Sequence, residues 1–161
     1  MDAGQRASLI ARYRDGHAAI VSALEGITPV ELDARPADGS WSAREVVHHV
    51  ADSETTAAIR LRRLLVEDDA LVVGYDEEVW ARVLRYADRE IGSSLDTIAA
   101  TRASTAQLLD LLTEDQWART GTHSDSGPYG VERWLEIYAD HAHDHANQIR
   151  EARGAASDGR G

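Results

Sequence analysis

Hydrophobic residues recur along most of the chain at the three- to four-residue spacing of amphipathic helices. We predict four long helices, at roughly residues 4–25, 43–67, 90–112 and 131–152. The three prolines all lie between these segments. Four amphipathic helices in one chain predict an all-α fold, a four-helix bundle. Its connections are long, at roughly 15–20 residues, so consecutive helices need not be antiparallel neighbours.

The start of the second predicted helix has a complete capping signal. Ser42 at the N-cap and Glu45 three residues later form a capping box, and Trp41 and Val46 form a hydrophobic staple around it. A faint repeat adds short capped helical turns after the first and third helices. The stretch Leu-x-x-Ile-Thr-x-x-Glu at 24–31 resembles Leu-x-x-Leu-Thr-x-x-Gln at 109–116. A duplicated helix pair and a chance match explain this similarity equally well.

Length and charge restrict the classes of protein to which the chain can belong. With 161 residues it fits one domain, which we place at 1–153, followed by a tail at 154–161 that we predict to be disordered. The 28 acidic and 17 basic side chains give a formal net charge of −11. This charge argues against coating nucleic acid or docking on anionic lipid. We see no apolar run of membrane-spanning length and no signal peptide, and therefore expect a cytoplasmic protein.

Seven histidines and no cysteine make imidazole the candidate metal ligand. His141 and His145 lie one turn apart on the inner side of the last helix, a spacing by which a helix can chelate one ion. The helical wheel directs His143 to water. On the second helix, His48 and His49 both lie near the edge of the apolar face, and the wheel does not choose between them. Chance spacing of histidines is the alternative explanation.

Two charged residues occupy apolar positions. Glu54 falls near the centre of the apolar face of the second helix, and Arg102 near that of the third. We predict that they meet inside the bundle, either as an internal salt bridge or with Arg102 as a clamp for a substrate anion. His17 lies on the apolar face of the first helix, where we predict a hydrogen-bonded core histidine. His123 precedes the last helix and lies either at the rim of a site or in open solvent.

Two motifs resemble those of the DinB/YfiT family of helical metal-binding proteins, in its DinB-like subgroup. The first motif is Trp-Ser-x-x-Glu followed by two hydrophobic residues and x-His, and the second is His-x-x-x-His-x-x-Gln-Ile. They appear here as Trp41, Ser42, Glu45, Val46, Val47 and His49, and as His141, His145, Gln148 and Ile149. The resemblance extends over roughly residues 5–152 and includes the stretch that begins at Tyr75.

The resemblance implies an up-down-down-up bundle that often forms a homodimer. It implies that His49, His141 and His145 hold a divalent metal ion, with nickel or zinc ahead of iron or manganese. Characterised relatives include S-transferases that use a low-molecular-weight thiol as co-substrate.

Three neutral imidazoles would leave such an ion its full charge and open coordination positions, so a bound thiol or water would lose its proton near neutral pH. The leading hypothesis is a metal-dependent thiol S-transferase that acts on a small molecule. The alternatives are a metal-dependent hydrolase and a non-catalytic bundle that binds a metal or another ligand. Glu54, Arg102 and His123 are the candidates for substrate binding, and we assign no catalytic residue.

Overall fold

The computed structural model describes residues 1–158, with side chains described to residue 154. The four long helices are α1 (Ala3–Leu24), α3 (Ala43–Val66), α5 (Gly92–Leu109) and α7 (Val131–Asp158). The short helices are α2 (Pro29–Asp33), α4 (Glu77–Val83) and α6 (Glu114–Trp117), and one 3-10 turn spans Tyr86–Asp88. The strands are β1 (Leu71–Val72), β2 (Thr120–His123) and β3 (Gly127–Gly130). Within residues 1–158 no helix combines the length and hydropathy needed to cross a bilayer.

Helices α1 and α7 run parallel to each other, although they lie at opposite ends of the sequence. Arg6 near the start of α1 pairs with Glu132 at the start of α7. Near the other end, Arg153 of α7 donates a hydrogen bond to the carbonyl of Ala23 in α1. Because both helices advance together between these two contacts, they point in the same direction.

Helix α3 runs antiparallel to α7 and parallel to α5. Trp134 near the start of α7 donates to the carbonyl of Ala57 in the second half of α3, and His145, further along α7, contacts His49 in the first half of α3. His48 of α3 hydrogen-bonds to Ser94 of α5 near the start of both helices. These directions confirm the predicted up-down-down-up bundle. Since parallel neighbours need a crossover, residues 67–91 carry the chain back along the bundle through β1, α4 and the 3-10 turn.

The predicted helix starts are present. The Ser42 side chain accepts from the backbone of Glu45, whose carboxylate accepts in return from the Ser42 backbone. Capping boxes also open α2 and α6, where Thr28 and Thr113 are the N-caps, so both halves of the faint repeat fold alike. Helix α7 continues to Asp158, past the predicted end at 152, because residues that favour helix follow Gly154. The end of the predicted tail, 159–161, lies outside the described residues.

A small three-stranded sheet was not expected from the sequence. Strand β2 pairs antiparallel with β3 and parallel with β1, in the segments predicted as loops. Gly127 has a φ of 79°, a left-handed conformation that favours glycine at the end of the hairpin turn. At Gly121 an added Cβ would lie 2.3 Å from the carbonyl oxygen of Ala70, so only glycine permits this approach of β2 to the start of β1. Such short strands depend on tertiary packing rather than on periodicity.

A polar layer crosses the bundle and separates two apolar clusters of the core. One cluster surrounds Trp134 and the other surrounds Ile149. Between them Glu54 and Arg102, with side chains 0% and 2% exposed, form the predicted buried ion pair. Tyr13 donates to the second carboxylate oxygen of Glu54 over 3.1 Å. The four long helices are therefore joined at mid-height by charge as well as by apolar contacts.

The guanidinium of Arg102 has a protein partner at each of its nitrogens. Nε donates to the carbonyl of Tyr13 over 2.7 Å, Nη1 pairs with Glu54, and Nη2 donates to the carbonyl of Tyr138 over 3.2 Å. The Tyr13 ring covers the cation, with its centroid 4.0 Å from Cζ. These contacts favour the internal salt bridge over a substrate clamp.

Gly16 provides the space for this guanidinium. It lies buried in the middle of α1, where glycine destabilises a helix relative to alanine. A Cβ at this position would lie 2.5 Å from Nη2 of Arg102 and 2.8 Å from Cβ of Ala142.

The buried face of α1 differs from the predicted one at two positions. Val21 is 45% exposed, and His17 is only half-buried rather than a core residue.

We expect Arg102→Ala to lower the free energy of unfolding by about 3–5 kcal/mol, because it leaves the buried Glu54 carboxylate without its counter-charge. Chemical denaturation of the metal-free protein measures this loss. A variant with wild-type stability would contradict the structural role of the pair.

We expect Gly16→Ala to destabilise the protein by about 1–3 kcal/mol, since the new methyl group overlaps a side chain held by several contacts. Gly154→Ala is the matched control. Gly154 is an exposed helical residue with open space around its Cα, so alanine there should stabilise by up to about 1 kcal/mol. Denaturation curves of both variants measure the free energy of unfolding. Equal changes in this free energy for the two variants would contradict the steric argument.

Candidate metal centre

The antiparallel pairing of α3 and α7 brings three histidines together at one side of the polar layer. His49 comes from the first half of α3, and His141 and His145 come from successive turns of α7. One nitrogen from each ring lies within 4.8 Å of the others, an arrangement that could hold a metal ion. The i, i+4 spacing supplies two of these nitrogens from one helix face, and the third comes from the facing helix.

The distances within this group fit a shared ion. Nε2 of His141 lies 3.2 Å from Nε2 of His145, and the His49 ring centroid lies 4.7 Å from that of His145. Zinc binds imidazole nitrogen at about 2.0–2.1 Å, so two ligands in a tetrahedral site lie about 3.3 Å apart. A donor set of three imidazoles suits zinc, nickel, iron or copper, and the open positions leave room for a substrate.

Neighbouring side chains fix the orientation of these rings. Nδ1 of His145 donates to Oε1 of Gln148 over 2.8 Å, which leaves the lone pair on Nε2 facing the other histidines. The Trp41 ring packs against His49, with 4.8 Å between the ring centroids. Ser53 Oγ lies 3.4 Å from Nε2 of His141. Gln148 and Trp41 both belong to the two sequence motifs, and the structure gives each a contact with the site.

All three imidazoles are held in the neutral form that binds metal ions. Burial lowers the pKa of His49 to about 3, and the nearby His145 contributes to the decrease. Burial also lowers the pKa of His141 well below its usual range, with smaller contributions from His145 and His49. The pKa of His145 is lowered by burial as well, although Gln148 opposes the shift.

The remaining histidines of the two helices have other partners. His48, which the wheel placed at an edge, is buried and hydrogen-bonds to Ser94 over 2.8 Å, so it joins α3 to α5. His143 does not point freely to water as expected. It is half-buried, and its Nε2 donates to the backbone carbonyl of Arg12, because α7 packs along α1 on that side. Neither belongs to the group that could hold an ion.

A cavity of about 270 Å³ opens beside His141, which is the member of the histidine group that lines it. It is lined by Ser53, Arg60, Gly74, Tyr75, Glu77, His123, Asp125, Ile137, Tyr138 and His141. The candidate His123 therefore lies at this cavity, on strand β2, where its Nδ1 accepts from the backbone of Asp125. The other two substrate-binding candidates, Glu54 and Arg102, lie in the core behind His141.

Sequence reasoning missed several polar residues of this cavity. Arg60 donates to the hydroxyl of Tyr138 over 3.1 Å and to the carbonyl of Val73 over 2.6 Å. The Tyr75 ring stacks on Trp80 with 4.2 Å between centroids. The stretch from Tyr75 to Trp80 belongs to the family resemblance, which is a sequence signal for this wall, but periodicity could not assign it to the site.

Known proteins resemble this chain in sequence and in fold. The sequence model of the DinB superfamily matches residues 12–149, which is most of the chain. The chain belongs to the DinB superfamily. The predicted DinB/YfiT-like family is thereby confirmed.

Curated relatives carry a name that refers to a metal. A protein of Oceanobacillus iheyensis named "Putative metal-dependent hydrolase" is 34% identical over 119 residues, which cover 74% of this chain and 69% of the relative. The protein YfiT of Bacillus subtilis, with the same description, is 32% identical over 135 residues, or 83% of this chain and 76% of that protein.

The solved structure of Bacillus subtilis YfiT superposes with a TM-score of 0.89 at 29% identity, covering 94% of this chain and 87% of that one. It is described as "a probable metal-dependent hydrolase with an unusual four-helix bundle topology". The up-down-down-up arrangement of the four long helices is thus shared with YfiT.

The burial of His49 predicts a pH-dependent stability of the metal-free protein. Its folded pKa of about 3 lies below the unfolded value of about 6.5, so the unfolded state binds the extra proton as the pH falls. The free energy of unfolding should therefore fall as the pH decreases below about 6.5. The His49 imidazole contributes up to about 1.4 kcal/mol per pH unit to this decrease. His49→Leu should remove that contribution. Equal pH slopes for both proteins, in urea denaturation between pH 7 and about pH 5, would contradict the assignment.

Proposed function

We propose that the protein is a metal-dependent hydrolase whose ion is held by His49, His141 and His145. The observation that carries the proposal is the convergence of three neutral imidazoles beside an open polar cavity. The names of the relatives from Oceanobacillus iheyensis and Bacillus subtilis support the same reaction class. Nickel and zinc are the ions we expect first, because imidazole nitrogen suits both.

When bound, a divalent ion on three neutral ligands supplies Lewis acidity that lowers the pKa of water near it. The residues of the chain supply binding and orientation. Gln148 keeps the lone pair of His145 directed inward, and the apolar side of the site, with Trp41 against His49, limits the access of bulk water.

The cavity wall supplies hydrogen-bond donors for the substrate. Burial raises the pKa of both Tyr75 and Tyr138, so their hydroxyls stay protonated at neutral pH. The guanidinium of Arg60 lies beside them, held by the Tyr138 hydroxyl and the Val73 carbonyl. We assign these groups the task of orienting a substrate carbonyl toward the histidines. His123, at the same cavity, is the further substrate-binding candidate.

Transfer of a small thiol is the second candidate reaction. It rests on the resemblance of the two motifs to the DinB/YfiT family, whose characterised members include thiol S-transferases, and it would use the same site with a thiol in place of water. Since the chain has no cysteine, the thiol must come from a low-molecular-weight co-substrate. A homodimer and a cytoplasmic location stay predictions of the resemblance and of the composition.

The test compares purified protein loaded with zinc or nickel, with and without a chelator, on a panel of activated esters and amides and on thiols with an activated electrophile. His145→Ala should lose the bound metal and lower the rate by more than about 100-fold. His143→Ala is the matched control, because His143 lies on α7 between the two candidate ligands and has the backbone carbonyl of Arg12 as its partner. This variant should keep both the bound metal and the rate.

Hydrolysis that stops on chelation supports the proposal, and thiol consumption without hydrolysis supports the second candidate. Metal binding without turnover of any ester, amide or thiol would overturn both and leave a metal-binding bundle. Equal metal content in the two alanine variants would overturn the site.

A further inference from the structure

We propose that Glu54 is a positioning residue for His141, accepting a hydrogen bond from the Nδ1–H of that ring when the site holds its metal ion. Arg102 and Tyr13 hold the carboxylate in place for this task. The inference rests on the proposed metal site and adds to it a residue outside the cavity.

The first observation is a buried nitrogen without a partner. Nδ1 of His141 is inaccessible to solvent and has no hydrogen-bond partner among the described residues. A buried polar atom left in this condition is unfavourable. Oε1 of Glu54 lies 3.9 Å from it, beyond the length of a hydrogen bond but within about 1 Å of it.

The second observation is the direction of the other nitrogen. Nε2 of His141 faces Nε2 of His145, whose own proton is on the Nδ1 that donates to Gln148. Without metal, His141 can keep its proton on Nε2 and share it with His145. Binding an ion through both Nε2 atoms requires the proton of His141 to be on Nδ1 instead, and that proton then needs an acceptor. Glu54 is the carboxylate beside it.

The third observation is that the carboxylate is held firmly. Its Oε1 pairs with Nη1 of Arg102, and its Oε2 accepts from the Tyr13 hydroxyl over 3.1 Å. A carboxylate oxygen has two lone pairs, so Oε1 can accept from Arg102 and from His141 together. Carboxylates that accept from a metal-bound histidine fix its orientation and make it a better ligand. Gln148 has the corresponding position for His145.

The test measures zinc affinity by competition with a chromophoric chelator. Glu54→Gln keeps the shape of the side chain but removes its charge, and it should weaken zinc binding by about 10–100-fold. Glu132→Gln is the matched control. It makes the same change in a carboxylate that pairs with Arg6 at the start of α7, nine residues before His141, so zinc affinity should change by less than about 3-fold.

A spectroscopic measurement separates positioning from general stability. In zinc-loaded protein labelled with nitrogen-15, the ring N–H of His141 should give a strongly deshielded proton signal at Nδ1. This signal should move in Glu54→Gln and stay in place in Glu132→Gln. If Glu54→Gln does not fold, the double variant Glu54→Gln with Arg102→Gln replaces it, because both buried charges are then removed together.

Unchanged zinc affinity in a folded variant without the Glu54 carboxylate would overturn the inference, as would a His141 signal that does not shift. Zinc binding that depends on Glu54 in a protein that hydrolyses nothing would uphold the inference and overturn the proposed function. A wild-type protein that binds no zinc or nickel would overturn both.

Discussion

The ion pair between Glu54 and Arg102 is the constraint to which the rest of the bundle is fitted. Two opposite charges removed from water are stable only when every remaining donor and acceptor is also satisfied. The carbonyls of Tyr13 and Tyr138, the Tyr13 hydroxyl and the Tyr13 ring meet that demand. Because these groups come from α1, α3, α5 and α7, the pair fixes the depth at which all four helices meet.

The same layer links fold and site. Gly16 is required because the guanidinium occupies the space beside it, and His141 stands at the other end of the layer beside Glu54. Alanine in place of Gly16 would favour the helix in isolation, and an apolar pair would avoid the desolvation of two buried charges. Both features depart from the rules of stability, and departures of this kind occur at functional sites, such as the three histidines that could hold an ion.

The sequence was sufficient for the features that follow from periodicity. The four long helices, the capping box at Ser42 and the meeting of Glu54 with Arg102 could be predicted because each depends on spacing within a helix or on a charge in an apolar face. Periodicity could not choose His49 over His48, since the two differ by how α3 packs on α5 and α7, and the resemblance of the motif around Trp41 to the DinB/YfiT family made that choice. The sheet around Gly121 and the cavity wall at Tyr75 were also missed, because segments distant in sequence form them together.

The cavity wall comes from two parts of the fold in equal shares. Ser53, Arg60 and three residues of α7 lie on the helices that also carry the three histidines, whose register is fixed by the core, whereas Tyr75 and His123 belong to the crossover and to the hairpin. Exchange of residues in the crossover and the hairpin would change which molecules fit the cavity, while the three histidines on α3 and α7 stay in place. A fold built in this way allows the substrate to vary independently of the group that could hold an ion.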